Sequence, residues 1–138
     1  MIKLIDSYYD RETGIASVSL ATDEGNFEGH AFLHPEDKPY ESEFTGCQIA
    51  ELKALQDYYE RKVARLKCQI LGLQEALRVY VRKNKEDEAE ILKKVLNSKI
   101  KQKAIYMNDC EGIKHELKTI SEAHNDFVDK MLKKRDNR

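Results

Sequence analysis

The chain has 138 residues, 36% charged and 41% hydrophobic, which is the composition of a folded, well-solvated protein, and one domain over 1–138 is expected. Its 24 lysines and arginines nearly cancel 25 aspartates and glutamates, so no net field draws it to DNA or RNA polymers or to an anionic membrane. Any anion it binds must be met by a local cluster. With no signal-peptide pattern and no run of about 20 apolar residues, a cytoplasmic protein is expected. Cys47, Cys68 and Cys110 are far apart, lack C-x-x-C spacing, and read as reduced packing residues.

Residues 1–39 read as a β-meander followed by a loop. Ile2, Leu4 and Tyr8 precede a turn at Asp10 to Gly14, and Ile15, Val18 and Leu20 mark a second strand. Asp23-Glu24-Gly25-Asn26 supplies hairpin-turn chemistry before a third strand from Phe27 to Leu33. Three strands need one face covered to be stable in water, so the helices that follow must cover it. Both prolines fall in His34-Pro35-Glu36-Asp37-Lys38-Pro39, which is expected to be a linker or an ordered loop over the sheet.

Thr45 with Gln48 three residues on reads as a capping box opening a first long helix over 45–83. Ile49, Gln56, Val63, Ile70 and Leu77 occupy heptad a, and Leu52, Tyr59, Leu66, Leu73 and Tyr80 occupy d. Arg82 to Asp87 contains no apolar residue, which predicts a tight helix-to-helix turn near Asn84, with Asn84 or Asp87 capping a second helix over 85–134. In that helix Ile113, Leu117, Ile120, Phe127 and Met131 form one stripe, interrupted by His124. Extended backwards, the stripe puts Lys99 and Lys103 on the seam, so a register drift or a change of partner is expected there. The expected fold is therefore α+β: a small antiparallel meander, then two long antiparallel helices forming a hairpin. Leu55, Tyr58, Leu71, Val79 and Val81 lie off the seams and leave apolar surface that calls for oligomerisation.

No Gly-rich phosphate loop, G-x-S-x-G, H-E-x-x-H or EF-hand pattern is present, and His30, His34, His115 and His124 lack metal-ligand spacing. Glu86, Asp87, Glu88 and Glu90 suit a helix start better than an acid/base pair. No catalytic, cofactor or metal site is assigned. The cations are more suggestive: Lys53, Arg61 and Arg65 on the first helix, Arg78 and Arg82 near the turn, and Lys93, Lys94, Lys99, Lys101 and Lys103 on the second. Two of them beside an aromatic face such as Tyr8, Tyr9, Tyr58 or Tyr80 could hold a nucleotide by charge-assisted phosphate contacts and base stacking; the plainer reading is a solvated helix surface.

Ile5-Asp6-Ser7-Tyr8-Tyr9-Asp10, Thr13-Gly14-Ile15, a short hairpin, His34-Pro35-Glu36-Asp37, Gly46-Cys47 and Ala50-Glu51-Leu52-Lys53-Ala54 occur in order, followed by two long helices. This order resembles the phage anti-Thoeris sponge proteins, the first type of Thoeris anti-defence protein. The likeness covers most of the chain, with its sharp parts ending at Ala54. It implies a phage-encoded protein in the host bacterial cytoplasm that is not an enzyme. Such proteins, as dimers to hexamers, sequester the cyclic ADP-ribose isomers (gcADPR among them) made by TIR-domain sensors; some also bind cyclic di- or trinucleotides of the CBASS pathway. By the same resemblance Lys53 stands where the family has an arginine, Asn84 matches an asparagine of the inter-helix turn, Lys101 stands at another basic position, and Tyr80 is the nearest counterpart of a base-stacking aromatic. A lysine brings a point charge where arginine brings a planar fork, so ligand choice can differ. With Arg82 and Tyr9 added from the cation and aromatic sets, these six make the candidate ligand-binding group. The competing reading, from another class, is a structural or adaptor coiled coil whose hairpin mediates assembly or partner binding. A phosphodiesterase comes third, lacking a visible metal or histidine pair.

Overall fold

A computed structural model describes residues 1–32 and 42–136, the last two by their backbone alone. It is α+β, with β1 (Lys3–Asp10), β2 (Ile15–Thr22), β3 (Gly25–Phe32), α1 (Glu43–Arg82) and α2 (Glu86–Asp136) in chain order. The strands form one antiparallel sheet in the order β1-β2-β3. The expected end of the third strand at Leu33 and the His34–Pro39 loop lie outside the described residues. Two compact units emerge: residues 1–58 with 111–138, and residues 59–110.

Local chemistry accounts for both strand turns. Asp10 Oδ1 accepts the Glu12 N–H at 2.9 Å, and Gly14, at φ 71°, donates its N–H to the Asp10 carbonyl at 2.8 Å. At the second turn Thr22 Oγ1 accepts the Glu24 N–H at 3.1 Å and donates to the Gly25 carbonyl at 2.6 Å, while Gly25 takes φ 108°. In β1 the register shifts between Leu4 and Asp6, leaving Ile5 as the extra residue of a bulge.

The central strand alternates as a half-buried strand should: Ala16, Val18 and Leu20 are sealed, while Ser17 and Ser19 face away from the core. Against the sealed row, with Ala31 of β3, lie Ala50 and Ala54 of α1, joined by Tyr9, Phe27, Cys47, Ile49 and Leu55. The residues meeting at this contact are small for a reason. A Cβ on Gly29 would run into the Ala50 carbonyl oxygen and come within 2.7 Å of the Ala54 amide nitrogen, so helix and strand touch backbone to backbone. The cover centres on β2 and β3 and leaves most of β1 open: Leu4, Ile5 and Tyr8 are all more than half exposed. A helix covers one face of the meander as expected, over β2 and β3 more than over β1.

Helix α1 begins earlier than Thr45. Ser42 is the cap: its Oγ accepts the Thr45 N–H at 3.1 Å and its carbonyl accepts the Gly46 N–H at 2.9 Å. The cap thus lies three residues before the expected one, and Thr45 sits in the first turn of the helix. All ten expected a and d positions of α1 are buried or half-buried. Of the residues assigned to its outer surface, Leu71, Val79 and Val81 are exposed, but Leu55 packs on the sheet core and Tyr58 is 5% exposed. Tyr58 lies edge-on to Phe27 at 5.9 Å and donates its hydroxyl to Asp23 Oδ1 at 2.6 Å. Four-residue spacing from Ala50 through Ala54 to Tyr58 puts it on the sheet-facing side, a stripe hidden behind the heptad pattern.

Within residues 59–110, α1 and α2 are antiparallel neighbours, with the Tyr59 and Tyr106 rings 6.0 Å apart. Ala89, Leu92, Leu96, Lys99, Lys103, Tyr106 and Cys110 are all buried or half-buried at unbroken 3-4 spacing. No register drift occurs around Lys99 to Lys103. Both lysines stay on the seam because a long methylene stem can lie along apolar neighbours while its ammonium reaches water. In the other unit Ile113, Leu117, Ile120, His124 and Met131 are buried or half-buried as the stripe predicts, but Val128 is buried at 4% in place of Phe127, which is 47% exposed. A straight helix has 3.6 residues per turn, so a strict heptad drifts and a second four-residue step absorbs it. Of the three cysteines, Cys110 is buried and Cys47 half-buried, whereas Cys68 is exposed and does not pack as expected.

Two substitutions test this core. Gly29→Ala should cost about 3 kcal/mol by forcing apart two backbones. Tyr58→Phe should keep the Phe27 contact and cost about 1.5 kcal/mol for the lost hydrogen bond to a carboxylate. Urea unfolding monitored by circular dichroism reads both, and a Gly29→Ala protein of unchanged midpoint would refute the close approach.

Candidate functional site: the helix-to-helix turn

The turn between α1 and α2 is three residues long and built around Asn84. Asn84 adopts φ 57°, the left-handed region that asparagine tolerates better than most side chains. Its N–H donates to the Val81 carbonyl at 3.2 Å and the Lys85 N–H to the Tyr80 carbonyl at 3.0 Å, the paired hydrogen bonds of a left-handed helix C-cap. Lys85 then turns the chain into α2, its carbonyl accepting the Ala89 N–H at 3.0 Å. Asn84 therefore caps the end of the first helix, and neither it nor Asp87 caps the second. Glu86, Asp87 and Glu88 fill the first turn of α2, where the helix dipole favours them.

These constraints shape an open cleft of about 450 Å³ lined by Tyr80, Val81, Asn84 to Asp87, Ala89, Glu90 and Lys93. Lys85 Nζ lies 5.7 Å from the centroid of the Tyr80 ring, a cation held over an aromatic face. Lys93 Nζ is 3.3 Å from Glu90 Oε1 on the exposed side of the helix. An aromatic ring, an amide and two ammonium groups thus share one hollow, which is the equipment for a base and a phosphate. Three carboxylates share it too. An incoming phosphate must take Lys93 from Glu90, a weak exposed pair that costs little to break.

The six candidate residues are not all here. Tyr80 and Asn84 line the cleft; Arg82, the last residue of α1, is exposed and does not. Lys101 lies eight residues beyond Lys93 on α2, about 12 Å along the axis. Lys53 is exposed on the part of α1 that belongs to the other unit. Tyr9, also in that unit, is half-buried in a separate hollow of about 70 Å³ with Phe32, Ile49 and His124. Lys85 was missing from the candidates, and the signal for it was in the sequence: the residue after a left-handed cap packs back on the helix it leaves.

Two other polar clusters can be weighed. Ser17 Oγ lies 2.9 Å from His30 Nδ1, and His30 Nε2 lies 3.8 Å from Glu28 Oε2. The order suggests a nucleophile, a base and its orienter. Yet Ser17–His30 and Ser19–Glu28 are direct cross-strand partners in an open sheet, so the register alone puts them together. Tyr59, beside Tyr106, has its phenol pushed above the ordinary range, first by burial and then by the negative charge of Asp109. That holds it neutral, as a seam residue should be. Among the described residues no group of three or more histidine, cysteine, aspartate or glutamate side chains could hold a metal, and no helix is long and apolar enough to cross a membrane.

Replacing Asn84 separates capping from chemistry. Asn84→Ala should cost about 1 to 2 kcal/mol because alanine resists the left-handed region, whereas Asn84→Gly should leave the unfolding midpoint within a few tenths of a kcal/mol while deleting the amide. Equal losses in both variants would show that the side chain, not the backbone conformation, holds the turn. No family model, curated protein or solved structure matches the chain.

Proposed function

We propose that the protein is a sponge: it binds a cyclic nucleotide signal, a cyclic ADP-ribose isomer or a cyclic di- or trinucleotide, and holds it without breaking a bond. The observation that carries this reading is the turn cleft, where Tyr80, the Asn84 amide, Lys85 and Lys93 converge within a few residues of one another. The motif order that resembles the phage anti-Thoeris sponges supports it. Lys85 and Lys93 serve the phosphates as point charges and the Tyr80 ring takes a purine face once Lys85 swings off it. Lys53, Arg82, Lys101 and Tyr9 enter, if the resemblance holds, only from another copy or at another site, since none lines the cleft.

A second reading has its own observation. The left-handed cap by itself accounts for Asn84, for Lys85 over Tyr80 and for the shape of the hollow, which is what an assembly or adaptor hairpin would also contain. The two readings differ in one measurable respect. The purified protein, incubated with cyclic ADP-ribose isomers and cyclic oligonucleotides and then heated, should release one of them intact. Ligand at 100 times its dissociation constant should stabilise the fold by about 2.7 kcal/mol. Lys85→Glu with Lys93→Glu should remove that shift, as should Lys53→Glu if the resemblance extends to that position. Capture of none of these ligands favours the adaptor, and recovery of a cleaved ligand favours the phosphodiesterase.

A further inference from the structure

A net charge of −1 conceals a strong separation of charge along the chain. Residues 59–110 carry 13 lysines and arginines against 7 carboxylates, whereas the rest of the chain carries 11 against 18. Between Glu60 and Glu75 on α1, and between Glu90 and Asp109 on α2, there is no acidic residue, only nine cations. The two stretches lie side by side, because the helices are antiparallel and Tyr59 meets Tyr106. They form a positively charged belt, a local field that the net charge hides.

Apolar side chains are exposed within the same belt. At 3.6 residues per turn, Ile91, Val95, Ser98, Gln102 and Ile105 fall in one arc of α2, about 80° wide and about 21 Å long. All five are exposed, Ile91 by 63%, Val95 by 40% and Ile105 by 60%. Along one border of the arc run Lys94 and Lys101, one heptad apart, with no hydrogen bond or ion pair to any described residue. Tyr106 marks the other border, and Lys62 of α1 holds its Nζ 5.8 Å from the centroid of that ring. Helices that lie in a lipid–water interface combine an apolar stripe with bordering cations in this way.

Two requirements fix the chemistry of the partner. Nucleic-acid phosphates would neutralise the lysines and leave the isoleucines in water, and a neutral apolar surface would do the reverse. Anionic lipid satisfies both, with phosphate headgroups at the border and acyl chains beneath. We propose that this face of residues 59–110 docks flat on an anionic lipid surface. Ile91, Val95 and Ile105 enter the headgroup–acyl boundary, and Lys94, Lys101 and Lys62 meet lipid phosphates beside them. Among the described residues no helix is long and apolar enough to cross the bilayer, so this contact is peripheral. It is independent of the turn cleft, and its test contains no cyclic nucleotide.

Flotation of the full chain with lipid vesicles decides it. The protein should float with vesicles of two parts phosphatidylcholine to one part phosphatidylglycerol, not with phosphatidylcholine alone, and should be released as salt is raised. Lys94→Glu with Lys101→Glu should lower the partition coefficient at least about tenfold. Ile91→Gln with Ile105→Gln should lower it about tenfold at unchanged charge. All four positions are exposed, so both variants should keep the wild-type circular dichroism spectrum. No flotation with the anionic vesicles at low salt, equal flotation with the neutral ones, or a glutamine variant that binds like wild type would each overturn the proposal. So would a protein that binds a duplex oligonucleotide through the same lysines and leaves the vesicles alone.

Discussion

The backbone-to-backbone contact between Gly29 of β3 and the Ala50–Ala54 turn of α1 is the constraint on which the first compact unit rests. Three short strands cannot seal their own apolar face, and a helix bearing leucines would stand too far off to exclude water from residues as small as Ala16 and Ala31. Alanine at both helix positions and glycine in the strand remove that stand-off. Once the helix lies so close, residues at four-residue spacing on the same face must also meet the sheet, and Tyr58 is drawn in to lie edge-on to Phe27 and close its hydroxyl on the β-turn carboxylate of Asp23. Turn, sheet and helix are thereby tied at one corner by packing and a hydrogen bond together.

The second unit is organised by a different compromise. Its seam has aliphatic and aromatic residues at every level of α1 but two lysines, Lys99 and Lys103, on α2. A leucine pair there would pack better. Charged groups at such positions lower stability and discourage alternative pairings, since a slipped register would bury an ammonium without water. At the far end the left-handed cap at Asn84 performs a comparable service, fixing where α1 stops and α2 starts within three residues. Precise helix ends matter more in a two-helix layer than in a large core, because there is little else to hold the phase of one helix against the other.

The cleft at this turn holds a small set of groups suited to contact a base and a phosphate. It offers a stacking face, an amide and positive charge, with its carboxylates in a solvated helix start and its lysines exposed. The Ser17–His30–Glu28 row has the residue types of a nucleophile system, but on an open strand surface where substrate would not be held or desolvated. Under the proposed sponge reading, binding energy is retained as occupancy, and a site with few, exposed cations can serve it.

Periodicity in the amino-acid sequence was sufficient for the three strands, the two helices, the position of their turn and every a and d residue of α1, because hydrophobic spacing and turn chemistry are local properties. It was not sufficient where two stripes overlap on one helix. Tyr58 reads as surface when only the heptad is followed, and its burial is decided by a sheet more than twenty residues upstream. Ser42 displaces Thr45 as cap although only Thr45, with Gln48, completes the local capping-box pattern. Lys99 and Lys103 looked like a break in the helix pairing because a lysine scores as polar; their stems pack as apolar groups once a neighbouring helix is present. Of the candidate site, Tyr80 and Asn84 were legible through the turn that joins them, while the distribution of Lys53, Arg82, Lys101 and Tyr9 away from that cleft was not. Composition records how many charges a chain has, and tertiary structure alone decides which of them meet, because distances between residues far apart in sequence are set by packing and not by spacing.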